Sequence, residues 1–146
     1  MIVVVDTSVF ISAMINPANE IGEISLNPLP GIKFAAPDLL RTEYLKHRNK
    51  VVRYSKMDLA ELREIEFILF DSISFLSTRI IPEEIMNTSN EIVRNIDIDD
   101  AVFVALTIYT EGKFWTLDKT LIKGLAKKGF ADVLSTAEVR NKYSTL

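Results

Sequence analysis

Carboxylates dominate the chemistry this sequence can offer, because other reactive side chains are scarce. The 146 residues contain no cysteine and one histidine, His47. That composition removes thiolate metal sites, iron–sulfur clusters, thiol nucleophiles and multi-histidine centres together, and it fits a reducing compartment. A catalytic metal must therefore rest mainly on carboxylates. Asp6 follows directly on the β-branched run Ile2-Val3-Val4-Val5, and Asp118 follows Lys113 to Leu117, a second run of strand composition. Asp97 and Asp100 stand three apart before the apolar stretch Ala101 to Tyr109. In a helical first turn that spacing puts both on one face and leaves Asp99 pointing elsewhere. Glu43, inside the helix expected after the second strand and one turn in from Asp38, can point back to the same edge.

Singly, each acid has a plainer reading. An Asp at a strand-to-helix turn is most often a cap, Asp97, Asp99 and Asp100 together put favourable negative charge at a helix start, and Glu43 alone is a solvated helix residue. Convergence changes the balance, because clustered carboxylates repel and stay ionised only when a cation neutralises them. An oxygen-only cluster suits Mg²⁺ or Mn²⁺.

The elements that must bring these acids together follow from the hydrophobic pattern. Strands are expected at Ile2–Val5, Ile32–Ala36, Arg79–Ile81, Lys113–Leu117 and Ala131–Leu134. Between them lie helices near Val9–Met14, Glu20–Leu26, Leu39–Arg53, Met57–Phe70, Glu83–Arg94, Ala101–Tyr109 and Lys119–Lys128. The Asn27-Pro28-Leu29-Pro30-Gly31 cluster breaks the chain, Gly112 stops the Ala101 helix, and Ser135-Thr136-Ala137-Glu138 reads as a capping box. Strands alternating with helices imply an α/β fold: a three-layer sandwich whose central parallel sheet of about five strands is flanked by helices, in one domain over residues 1–146. Ligands of such sheets bind beyond the carboxyl ends of the strands, where these acids lie.

Four fragments carry a family resemblance in order along the chain: Val5-Asp6-Thr7-Ser8, Pro37 to Glu43, Asp97 to Leu106, and Trp115-Thr116-Leu117-Asp118-Lys119. Together they resemble PIN-domain ribonucleases, and the chain is similar to the toxins of VapBC-type toxin–antitoxin pairs. The resemblance carries Asp6, Glu43, Asp100 and Asp118 onto the family's acidic quartet, with Asp97 as a frequent fifth acid. Ser8 and Thr116 match small hydroxyl positions that hydrogen-bond the acids. It implies one or two divalent cations, Mg²⁺ or Mn²⁺, that activate water to cut an RNA phosphodiester.

The charge balance is compatible with RNA. The chain carries 17 Lys and Arg against 20 Asp and Glu, and setting the five acids aside leaves 15 against 17. Lys46, His47, Arg48, Lys50 and Arg53 follow Glu43 along one helix, and Lys119 adjoins Asp118. Of these, Lys46, Arg48, Lys50 and Lys119 are expected to contact phosphate, against the plainer reading of a solvated helix face. His47 is expected to be a surface residue. Other folds with Asp after the first strand fit poorly. A haloacid-dehalogenase phosphatase wants a second Asp where Ser8 stands, and a response-regulator receiver wants adjacent acids where Val5 precedes Asp6. A non-catalytic PIN-like scaffold would predict erosion of the quartet, which is intact. No export signal or membrane span is visible, so a cytoplasmic protein is expected. The surplus of apolar residues between Leu39 and Phe75, among them Tyr44, Val52, Tyr54, Phe67, Leu69, Phe70 and Phe75, predicts a homodimer and a groove for an antitoxin segment.

Overall fold

Ile2–Val5 forms β1, and its apolar run is explained by its place at the centre of the sheet, where Val3 and Val4 are wholly buried. The computed structural model describes residues 1–27 and 30–144. The remaining strands are β2 (Lys33–Pro37), β3 (Ile73–Leu76), β4 (Lys113–Trp115) and β5 (Val133–Leu134). All pair in parallel in the order β3-β2-β1-β4-β5. The helices are α1 (Thr7–Ile15), α2 (Glu20–Leu26), α3 (Leu39–Tyr54), α4 (Leu59–Ser72), α5 (Glu83–Val93), α6 (Ala101–Thr110), α7 (Lys119–Lys127) and α8 (Thr136–Ser144). Helices α1 to α4 pack among themselves, α5 packs on α6 and α7, and α6 lies against β1, β2 and β4. The α/β architecture expected from the sequence is the one observed. No helix among the described residues is long and apolar enough to cross a membrane.

Register sets up the site. Val5 is level with Trp115, so the residues that follow them leave the sheet as neighbours, and the Asp6 N–H donates to the Trp115 carbonyl at 3.0 Å. On the other side Pro37 is level with Leu76. Pro37 lies beyond the residues of β2 that pair with β1, so its missing N–H costs that ladder nothing, and α3 starts directly after it.

Helix α3 is held by what it buries. Leu40, Tyr44 and Val51 are completely enclosed. The Tyr44 ring meets Phe10 of α1 at 4.9 Å and Phe70 of α4 at 5.6 Å, while Phe10 and Phe70 are 4.7 Å apart. Above this cluster Glu66 of α4 accepts the Tyr44 hydroxyl at 2.6 Å and a two-pronged Arg48 guanidinium at 2.8 and 2.9 Å. This packing fixes the rotation of α3 and with it the direction in which Glu43 faces.

Three local expectations change. Arg79–Ile81 is not a strand. Thr78–Ile80 is a 3₁₀ turn capped by Ser77, whose hydroxyl accepts the Arg79 N–H at 3.2 Å. The third strand is Ile73–Leu76, which follows α4 with no Gly or Pro between them, so its apolar residues read as a continuation of the helix stripe. At the end of α6 the left-handed residue is Glu111, at φ 54°, and not Gly112. Gly112 is needed for close approach, since a Cβ there would stand 2.7 Å from the Ile2 carbonyl oxygen. Of the surplus apolar residues, some of which were expected to stay exposed, Tyr44 and Leu69 are core and Phe70 and Phe75 are half-buried. Val52, Tyr54 and Phe67 are exposed. The break around Asn27 to Gly31 includes Pro28 and Leu29, which lie outside the described residues. The capping box forms as expected, Ser135 N–H to Glu138 Oε1 at 3.1 Å and Glu138 N–H to Ser135 Oγ at 3.2 Å.

Candidate active site

Asp6 is the best-positioned of the acids. It is 7% exposed and caps α1 with Oδ1, which accepts the Thr7 N–H at 2.9 Å. Oδ2 accepts the hydroxyls of Ser8 and Thr116, each at 2.7 Å. Both hydroxyls are themselves held by backbone. Ser8 Oγ accepts the Leu117 N–H at 3.3 Å, and Thr116 Oγ1 accepts the Asp118 N–H at 3.1 Å. A relay of backbone, hydroxyl and carboxylate thus ties the end of β4 to the end of β1 and fixes the Asp6 rotamer. Burial pushes the Asp6 carboxyl above its ordinary value. The Ser8 and Thr116 hydroxyls and the Thr7 N–H pull it back, and the negative charge of Asp118 adds to the rise.

Glu43 reaches the same place from α3. Its Oε1 accepts the Thr7 hydroxyl at 2.7 Å, so Thr7 serves Asp6 with its backbone and Glu43 with its side chain. The Glu43 carboxyl is raised chiefly by burial, with Asp6 and Asp99 adding repulsion; the Thr7 hydroxyl and His47, one turn further along α3, oppose the rise.

Asp100 enters from the start of α6. Burial, then repulsion from Asp6, Asp97, Asp118 and Glu43, pushes its carboxyl up to about 7. The residues before it form a 3₁₀ turn, Ile98–Asp100, capped by Asp97, whose Oδ1 accepts the Asp99 N–H at 3.0 Å. Asp97 thus stands at the entry of the turn that ends at Asp100, and its charge is among those that raise Asp100. Asp118 caps α7 through Oδ1, accepting the Leu121 N–H at 3.1 Å. Among the described residues none of these five acids makes an ion pair. Nor does any group of three or more His, Cys, Asp or Glu side chains there stand ready to hold a metal ion. The acids therefore share one edge and feel one another's charge without forming a closed coordination shell.

The basic residues divide. Lys50 is exposed and lines a groove with Ser8, Ser12, Ile15 and Asn16, between α1 and α3. Glu43, His47 and Lys50 fall on the α3 face toward that groove by their spacing. Lys46, His47 and Lys119 are also exposed. Arg48 differs from them in spending Nε and one terminal nitrogen on Glu66. The residue that sequence reasoning passed over is Thr7. Its place directly after an Asp, at the first position of a helix, was the available signal.

A comparison with curated proteins returns no match. A family model described as the PIN domain matches residues 4–141, a span that contains Asp6, Glu43, Asp97, Asp100 and Asp118, and the chain accordingly belongs to the PIN-domain family.

Proposed function

We propose that this PIN domain is a Mg²⁺- or Mn²⁺-dependent endoribonuclease and the toxin of a toxin–antitoxin pair. PIN domains are generally nucleases that act on nucleic acid. The observation that carries the reading is the position of Asp100, a partly buried carboxyl under repulsion from four other acids and paired with no base among the described residues. Such a group of oxygens fits a hard divalent cation in kind. Asp6, Glu43, Asp100 and Asp118 would hold it, with Asp97 in support. When bound, the cation supplies an activated water and neutralises charge developing on the phosphodiester. The chain's own residues do the positioning. Ser8 and Thr116 fix the Asp6 carboxylate, and Thr7 draws Glu43 to the same side. Lys50, on the wall of the groove that Ser8 also lines, would meet backbone phosphate, and the exposed Lys46 and Lys119 would add positive charge.

The antitoxin reading rests on a second groove, of about 670 Å³, lined by Ile15, Pro17, Tyr54, Met57 and Ile65 together with Lys56, Glu61 and Glu64. Its mixture of apolar floor and charged rim suits a helical or extended peptide. The separation of the acids favours one rival, a PIN-like scaffold without catalysis. A cleavage assay on RNA and DNA, with Mg²⁺, Mn²⁺ or chelator, decides between them. RNA cutting that stops on chelation and collapses in Asp6→Asn and Asp100→Asn is expected. Cutting that survives chelation, or full activity in Asp100→Asn, would remove the metal-nuclease reading, and a parent that cuts nothing would leave the scaffold.

A further inference from the structure

Arg41 is the cation at this edge of the sheet whose place is set by stacking. It lies in the first turn of α3, two residues before Glu43 and just beyond the end of β2. Leu40 and Tyr44 face the core, so Arg41 and Glu43 leave α3 on opposite flanks. Glu43 turns toward Thr7 of α1. Arg41 turns toward β3, where its guanidinium carbon sits 4.0 Å from the centre of the Phe75 ring and 5.8 Å from that of Phe70. Phe70 and Phe75 are themselves 5.8 Å apart and half-buried, so they form a fixed floor.

Among the described residues the Arg41 guanidinium makes no hydrogen bond and no ion pair, and the residue is exposed. The contrast with Arg48 is instructive, since both come from one helix. Arg48 is locked on Glu66, whereas Arg41 is held by the faces of rings, and a guanidinium so held keeps its N–H edges free for a planar two-pronged partner. Stacking also restricts the long side chain beforehand, so less rotamer entropy is lost when an anion arrives. The anion expected at the rim of a phosphodiester-cleaving site is another phosphate of the same strand.

We propose that Arg41 is a phosphate-binding residue on the β3 flank of the carboxylate site, presented by Phe75 to the backbone of single-stranded RNA a short way from the bond that is cut. The inference rests on the nuclease reading and adds a direction to it. The strand would pass from the Lys50 groove on the α1 side, across the acids, to Arg41 on the β3 side.

The test measures binding of a short fluorescent single-stranded RNA to full-length Asp100→Asn protein in Mg²⁺ at several salt concentrations. Cleavage by the parent chain is measured in parallel. Adding Arg41→Met, which keeps the apolar cover over the rings, is expected to weaken binding roughly tenfold and to lower the salt slope by about 0.7, the value of one lost phosphate contact on a single strand. Arg41→Lys should fall between, because it keeps the charge and loses the planar fork. In the cutting enzyme Arg41→Met should raise KM with kcat little changed. Binding within twofold, an unchanged salt slope and an unchanged KM in Arg41→Met would show that the arginine only covers Phe70 and Phe75. That outcome would overturn the proposal and leave the nuclease reading intact. A parent chain that cuts neither RNA nor DNA would end both.

Discussion

Asp6 and Asp100 show how two carboxylates of one site take on different structural costs. Asp6 is satisfied, with its two oxygens accepting three hydrogen bonds. Asparagine must aim its amide either at the Thr7 N–H or at the two hydroxyls, leaving a buried group unpaired. Asp6→Asn should therefore destabilise the fold by about 1–3 kcal/mol as well as abolish cutting. This differs from the expectation for isolated repelling acids, where removing a charge is harmless. Asp100 comes closer to that expectation, because burial and then repulsion raise its carboxyl with no hydrogen bond to offset them. Its folded value of about 7 lies above the value of about 3.9 for an unfolded Asp. The folded state thus holds the proton more tightly, and the stability it contributes is complete below pH of about 4 and lost as pH rises through about 7. Chelated protein should melt at a lower temperature at pH 8 than at pH 5, and Asp100→Asn should reduce that difference. A pH dependence identical in parent and variant would show that Asp100 is not the group responsible. Among the neighbours, Asp97→Asn should slow cutting less than Asp100→Asn, since Asp97 is exposed and engaged as a cap. Asp99→Asn should cost least even though its charge reaches Glu43, and cleavage rates in the reverse order would mean the wrong face of the turn had been assigned.

The α3–α4 contact carries a prediction of its own, because a single Glu66 carboxylate joins Tyr44 and Arg48. Arg48 and Tyr44 hold the Glu66 carboxyl below its ordinary value. Stability from a lowered carboxylate is present above its unfolded value, about 4.3, and is lost as pH falls through the folded value. Glu66→Gln should cost about 1 kcal/mol at neutral pH, the partial exposure of Arg48 keeping it at the low end. The cost should vanish in strong acid; a loss that persists there would assign the effect to packing. None of this linkage was legible in the sequence, where Arg48 reads as one cation in a basic run and Glu66 as one acid on a helix. What was legible was the local grammar. The β-branched run before Asp6, the Ser135 to Glu138 box and the spacing of Leu40, Tyr44 and Val51 each specify their element with neighbours only a few residues away. The third strand was illegible for the converse reason. Ile73–Leu76 is an edge strand fed directly by α4, and a short apolar run after a helix has the same pattern in either conformation. Asp6, Asp100 and Asp118 could be placed at one edge because each sits after a strand or at a helix start. The Thr7 bridge to Glu43 depends on the rotation of α3, which the aromatic cluster and Glu66 set from a distance in the chain.

Association follows from what the helical layer leaves uncovered. The core takes Tyr44 and Leu69, and the ring cluster takes much of Phe70 and Phe75. Phe70 is therefore a poor probe of surface contact, since an aspartate there would strike the cluster that orients α3. The exposed set is Leu45, Val52 and Tyr54 on α3 and Leu59, Phe67 and Ile68 on α4, with Phe67 the most open at 72%. Leu45 and Val52 are seven apart and share one helix face. A phenylalanine so exposed contributes its full apolar area to any interface that covers it, and a two-fold dimer is the commonest closed arrangement that would do so. We expect a homodimer in solution, and Phe67→Asp should shift it to monomer without changing the melting of the isolated fold, because Phe67 contributes little to the core. Sedimentation at micromolar concentration reads the result directly. A parent that sediments as a monomer refutes the dimer, and a Phe67→Asp protein that remains dimeric moves the interface away from α4. A dimer through the exposed side of α3 would hold that helix still from outside as the ring cluster holds it from within. Loss of cutting in Phe67→Asp that is recovered at high protein concentration would show that this second constraint serves the site.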